Sequence, residues 1–243
     1  LGAMHSSTGK NITPSKVLEV YEPEILKWLF AKYRPEDSFE FAFDETIIRH
    51  YSEYDKLLKA YASKQTTEIE SEVFKLILDD ATQMQEKTPF GSLASVAPIV
   101  DFNPTATFMA LKKAGIEINQ NSSERLTKVK NWIEIYNPEK KYDLLPKFNN
   151  IYYDSLDDNS KQVFSKLYEF ISKNDFTEKE IQSFLYSIIN DENATKKENI
   201  LNQQVNFKNI YNMLFGRDDG PRLYLYLAAA EKNKYLNLLT PHA

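Results

Sequence analysis

Residues 44–62 read DETIIRHYSEYDKLLKAYA, and only a helix accommodates them well. Ile47, Tyr51, Tyr54, Leu58 and Tyr61 recur at spacings of 4, 3, 4 and 3, which is one stripe of an α-helix. Asp44 stands where a helix cap belongs, because its carboxylate accepts the first free amides. The same reading extends in both directions. Upstream, Thr13-Pro14 predicts an N-cap and first helical residue, and Pro23 restarts a helix carrying Ile25, Leu26, Trp28, Leu29, Phe30 and Tyr33 that stops before Pro35. Downstream, Thr67 and Glu70 match a capping box opening a helix lined by Ile69, Val73, Leu76, Ile77, Ala81 and Met84.

Beyond Pro89 and Gly91, helices are expected at about 92–100 and 104–114, the second closed by Gly115, and from Ser122 to Tyr136. Val163, Phe164, Leu167, Phe170 and Ile171 mark another. Thr177 with Glu180 is a second capping box, and Phe207, Ile210, Tyr211, Leu214 and Phe215 precede Gly216. A last helix is expected from Pro221 through Leu239. Alternating strand patterns are nearly absent, Phe39–Phe43 being the best short candidate. The fold class is therefore all-α, an irregular array of about ten helices without a fixed repeat.

Composition narrows the function. The 243 residues contain no cysteine, which excludes disulfides, iron–sulfur ligation and a cysteine nucleophile. Three scattered histidines make a histidine zinc site improbable, and His50 is expected on the polar side of its helix. Six glycines spell neither a dinucleotide fingerprint nor a Walker A loop. No run approaches the roughly 18 apolar residues of a membrane span, and no signal peptide is visible. The expectation is a soluble cytoplasmic chain with no membrane partner. The net charge of -5 argues against an indiscriminate nucleic-acid binder and against DNA. That charge is uneven: residues 36–86 hold 13 acids and 5 bases, residues 103–147 hold 8 bases and 5 acids. An acidic chain thus has room for a basic face.

Three segments could carry chemistry. Met4-His5-Ser6-Ser7-Thr8-Gly9-Lys10-Asn11-Ile12-Thr13-Pro14 places hydroxyls, a glycine and a lysine before a helix, which suits phosphate. Arg125, Lys128 and Lys130 form a basic cluster on the helix bearing Trp132, a candidate phosphate-contact face. Phe215–Leu223 presents Arg217 and Arg222, two of five arginines, whose planar forks suit a phosphate or a base edge; a competing reading pairs Arg222 with Asp218 or Asp219 to pin the turn. Acidic doublets such as Asp79-Asp80 do not face one another on a helix and are poor acid–base pairs.

Taken together these segments resemble the C-terminal half of the class I lysyl-tRNA synthetases. The first loop is similar to that family's KMSKS-type signature, continuing through Asn11 to Leu18. Val20–Pro35, with Phe43-Asp44 and Tyr51–Leu57, is the most specific match. Phe215–Leu223 followed by Leu227-Ala228-Ala229 resembles the closing motif, and Val129–Glu134 bridges the middle. The resemblance implies a KMSKS-like loop within 1–13 (Leu1–Ala3 reading as a cloning scar), a stem-contact helical region at 14–88, and an α-helix cage binding the anticodon at 89–243. It implies a piece of a longer enzyme that activates lysine with ATP and charges lysine tRNA. This piece alone would lack the catalytic half, have no catalytic residues and bind no cofactor.

On that alignment Ser6, Ser7, Thr8, Gly9 and Lys10 would face ATP in the full enzyme. Thr8 stands where a second lysine is usual, so either Lys10 substitutes or the loop loses charge. Arg125, Lys128, Lys130, Lys208, Arg217 and Arg222 are the expected tRNA contacts, the last three at the anticodon end. A glutamyl-type synthetase region and a helical protein-interaction scaffold remain alternative readings.

Overall fold

The computed structural model describes residues 13–33, 43–78 and 84–240. Among them every regular element is a helix, with no strand. Thirteen α-helices follow in order: α1 (Pro14–Val20), α2 (Pro23–Lys32), α3 (Thr46–Ala62), α4 (Glu68–Ile77), α5 (Phe90–Val96), α6 (Pro104–Lys113) and α7 (Ser123–Asn131). Then come α8 (Asn150–Asp154), α9 (Asp158–Lys173), α10 (Glu178–Ile189), α11 (Lys196–Phe215), α12 (Leu223–Ala229) and α13 (Lys232–Tyr235). Phe39–Ala42, most of the strand candidate, lie outside the described residues.

The chain forms two compact units. The first takes the residues up to Ala94 together with Glu117–Glu139; the second takes Ser95–Ile116 together with Lys140 onward. The chain thus passes between the two units three times, after Ala94, Ile116 and Glu139.

In the first unit the 44–62 stripe behaves as its spacing requires: Ile47, Tyr51, Tyr54 and Leu58 are buried on α3. Asp44 Oδ1 accepts from the Thr46 amide at 2.8 Å. Thr13 caps α1 and Pro14 opens it. Thr67 and Glu70 complete their capping box on α4. The face of α4 differs from expectation. Phe74 and Ile77 are buried, while Ile69 and Leu76 are each 78% exposed. Phe74 decides this orientation, because its ring packs 5.0 Å from that of Tyr61 and 5.9 Å from that of Tyr54. His50 also departs from expectation: it is buried, and its Nδ1 shares a 2.9 Å hydrogen bond with the Tyr21 hydroxyl.

In the second unit Val163, Phe164, Leu167 and Ile171 of α9 pack with Ile181 and Leu185 of α10 and Ile210, Met213 and Leu214 of α11. Capping boxes at Thr177/Glu180 and Thr195/Glu198 start α10 and α11. The expected last helix is broken. Ala230 is extended, which ends α12 and lets α13 turn back. The Tyr235 hydroxyl then donates to Leu227 O at 2.8 Å.

Candidate nucleic-acid interface

Helix α7 carries Arg125, Lys128 and Lys130, but it does not present them together. Arg125 is 1% exposed. Its Nε and Nη2 donate to the two carboxylate oxygens of Glu22, both at 3.1 Å. Nη1 and Nη2 donate to Asp55 at 2.7 and 2.9 Å, and Nη1 also reaches Thr88 O at 3.3 Å. A guanidinium has five N–H donors, so none is left for a phosphate. Arg125 is therefore a core residue, which corrects its reading as a phosphate contact. The guanidinium carbon lies 4.9 Å from the centre of the Tyr51 ring.

Lys87 completes the cluster, donating to Glu22 at 3.0 Å and Glu24 at 2.9 Å. Burial alone would raise the Glu22 carboxyl, but Arg125 and Lys87 outweigh it and hold it below the usual carboxylate range. Lys128 donates to Leu18 O at 2.6 Å, Asn131 to Glu19 O at 2.9 Å, and Tyr51 to Val20 O at 2.8 Å. Three successive carbonyls at the end of α1, which lack helical partners, are thus satisfied. Of the three α7 cations only Lys130 is well exposed; it stands 4.0 Å from Glu134.

The turn after α11 is the more open arrangement. Gly216 ends α11 with φ of +68°, a left-handed conformation that favours glycine, and a Cβ there would meet Leu145 at 3.2 Å. Gly220 is closer still: a Cβ would lie 2.4 Å from the Tyr211 ring. That ring is held from its far end, since the Tyr211 hydroxyl donates to Pro221 O at 2.8 Å. Burial pushes the Tyr211 phenol up to about 12.

Each cation of this turn has a partner and a tyrosine or a neighbour to hold it. Lys208 pairs with Asp218 at 2.8 Å, and Asn212 donates to the same carboxylate at 2.9 Å. Those bonds, Lys208 first, hold Asp218 below the usual range. Arg217 donates to Asp219 at 3.1 Å and lies 4.8 Å from the centre of the Tyr142 ring. Arg222 pairs with Glu178 at 3.0 Å and lies 5.2 Å from the Tyr224 ring centre. Its partner is therefore neither Asp218 nor Asp219. The side chain is still 61% exposed.

Tyr224, Phe207 and Tyr186 extend the surface as a run of ring contacts: Phe207 is 6.5 Å from Tyr224 and 6.3 Å from Tyr186. Burial, then the Tyr186 phenol, raises the Tyr224 hydroxyl. These tyrosines were not singled out from sequence; Tyr224 stands two residues after Arg222, which was a usable signal. The arrangement offers arginine forks beside partly exposed rings, the combination that takes single-stranded bases by stacking and edge hydrogen bonds.

Ser6, Ser7, Thr8, Gly9 and Lys10 lie outside the described residues. Among the described residues no group of three histidines, aspartates and glutamates could hold a metal ion, and no helix is long and apolar enough to cross a membrane.

Comparison with known proteins finds the chain similar to one enzyme group. Residues 1–79 match the family model of class I tRNA synthetases (K). The lysine–tRNA ligase of Borreliella burgdorferi is 30% identical over 232 residues, covering 91% of this chain. Those of Picrophilus torridus and Streptomyces coelicolor are each 27% identical, over 93% and 98% of this chain. The chain spans 43% or 44% of the length of these three relatives, and what it resembles is therefore under half of a lysine–tRNA ligase.

Proposed function

We propose that this chain is the tRNA-recognising part of a class I lysine–tRNA ligase, and that its second unit reads the anticodon of lysine tRNA. The observation that carries the reading is the pairing of exposed Arg217 and Arg222 with tyrosine rings at the turn after α11, in a chain similar to such ligases along nine-tenths of its length. Arg222 and Arg217 hydrogen-bond base edges or phosphates, Tyr224 and Tyr142 stack on unpaired bases, and Lys208 adds positive charge. The first unit, with α1 to α4, contacts the stem of the tRNA. In the longer protein, lysine is activated with ATP and attached to lysine tRNA, and Ser6–Lys10 contribute hydroxyls and a charge toward the triphosphate.

The test is binding of this chain to lysine tRNA and to the same tRNA with a substituted anticodon. The native anticodon should bind more tightly, and Arg222→Ala should reduce the discrimination by about 1–3 kcal/mol. Equal affinity of the unaltered chain for both RNAs would remove the anticodon assignment.

A further inference from the structure

Two helix ends far apart in the sequence bring Lys113 and Lys232 to one ring of the second unit. The C-terminal end of α6 supplies Lys112 and Lys113, and α13 supplies Lys232 and Lys234. Phe176 fixes how close two of them come. Lys113 Nζ lies 5.7 Å from the centre of its ring and Lys232 Nζ lies 5.1 Å from the same centre. The ring is buried, and its π-face attracts ammonium groups without supplying a charge.

Carboxylates do not balance this gathering. Lys232 pairs with Asp175 at 2.8 Å and also donates to Asn174 O. Lys234 stands 3.6 Å from Glu231. Lys113 donates to a carbonyl, Ala228 O, at 3.1 Å. Among the described residues no carboxylate lies within ion-pair distance of Lys112 or Lys113. Asp175, fully exposed, is held below the usual range first by its bond from Lys232 and further by the charge of Lys113. One exposed carboxylate thus feels the charge of two ammonium groups.

We infer that this lysine face is a second RNA-contact surface, taking the phosphate backbone of a folded RNA rather than its bases. The inference rests on the tRNA reading above but concerns different residues. Lysine is a compact point charge with freely turning donors, suited to phosphate, whereas base edges are read by planar forks. The ring between the two ammonium groups is itself buried, so it offers no open face to a base. Contact here is indifferent to sequence, in contrast to the arginine–tyrosine turn.

The experiment measures binding of the whole 243-residue chain to a lysine tRNA transcript between low and moderate salt, for the unaltered protein and for Lys112→Gln/Lys113→Gln/Lys232→Gln. Each lost phosphate contact lowers the slope of log K against log salt by roughly 0.7–0.9, so the triple variant should lose about two from the slope, equally with native and substituted anticodons. A variant carrying Lys113→Arg and Lys232→Arg retains the charge and should retain the slope. If the glutamine variant keeps the full slope, or the arginine variant loses as much as the glutamine variant, the inference is overturned. A tRNA slope left intact while binding to poly-glutamate weakens would assign the face to an acidic protein, and overturns it also. If the unaltered chain shows no salt-dependent tRNA binding at all, the tRNA reading itself falls; the two failures are thus distinct.

Discussion

Replacing Arg125 by methionine tests whether α7 is held by a buried charge cluster or is a displaced RNA-binding element. The substitution keeps most of the stem volume and removes five donated hydrogen bonds. Asp55 is the less costly loss, because a quarter of its side chain already meets water. Glu22 is fully buried and keeps only Lys87 as a cationic partner. Removing one member of a buried ion pair costs about 3–5 kcal/mol, and the surviving Lys87 places this case near 3 kcal/mol. With a urea dependence of about 1–3 kcal/mol per molar, the unfolding midpoint should fall by roughly 1–3 M. The chain supplies its own selective probe: Trp28 and Trp132, its two tryptophans, are both buried in the first unit, so indole fluorescence follows that unit alone. Arg125→Lys should recover part of the loss, since one ammonium cannot bridge both carboxylates. Adding Glu22→Gln to Arg125→Met should recover some as well, by removing the orphaned charge. The reasoning fails if Arg125→Met costs less than about 1 kcal/mol, or if the double variant loses as much as the two single changes added together.

Other outcomes follow from particular contacts. Burial, with Arg49 beside it, keeps His50 below its usual pKa, so the folded state binds fewer protons than the unfolded chain once pH drops beneath about 6.5. Stability of the first unit should be full above that pH and decline as pH falls toward the lowered folded value; indole-monitored unfolding from pH 7.5 to 5.5 should show the decline, and a His50→Gln variant should lack it. Gly220→Ala forces a methyl against the Tyr211 ring and should destabilise the second unit by about 1–3 kcal/mol, read by helical circular dichroism, with tRNA binding weakened in parallel. Thr195→Ala removes the cap that accepts from the Glu198 amide and should cost about 1 kcal/mol in the same measurement; an unchanged melt would mean that α11 is held by packing alone.

Local signals were legible, and signals between distant residues were not. Thr13, Thr67 and Thr177 announce their helices because a cap and its partner lie within three residues. Thr195 and Glu198 carry the same signature, but the first half of α11 shows so little apolar periodicity that its start went unmarked. Arg125 was readable too. It precedes Val129 by four residues and Trp132 by seven, the same 4–3 spacing that follows Ile47 with buried Tyr51 and Tyr54, and only its charge suggested the surface. His50 differs, since nothing within a helical turn points to the Tyr21 hydroxyl 29 residues away. For the candidate interface, the glycine-bounded turn and its arginines were visible as a motif. That Arg217 would lie over Tyr142, and Lys113 and Lys232 over one phenylalanine, depends on packing with no trace in local spacing.

The Arg125–Glu22 pairing spans 103 residues, and this has a temporal meaning. At a synthesis rate of about 5–20 residues per second, Glu22 is made roughly 5–20 s before Arg125. Once made, α1 to α4 stand without α7 until it follows, and three carbonyls at the end of α1 lack two of their three side-chain donors. The first unit therefore cannot close when its first 94 residues are complete. It closes only after the segment through Glu139 has emerged, by which point part of the second unit, Ser95–Ile116, has already been synthesised and waits for the remainder of its own core.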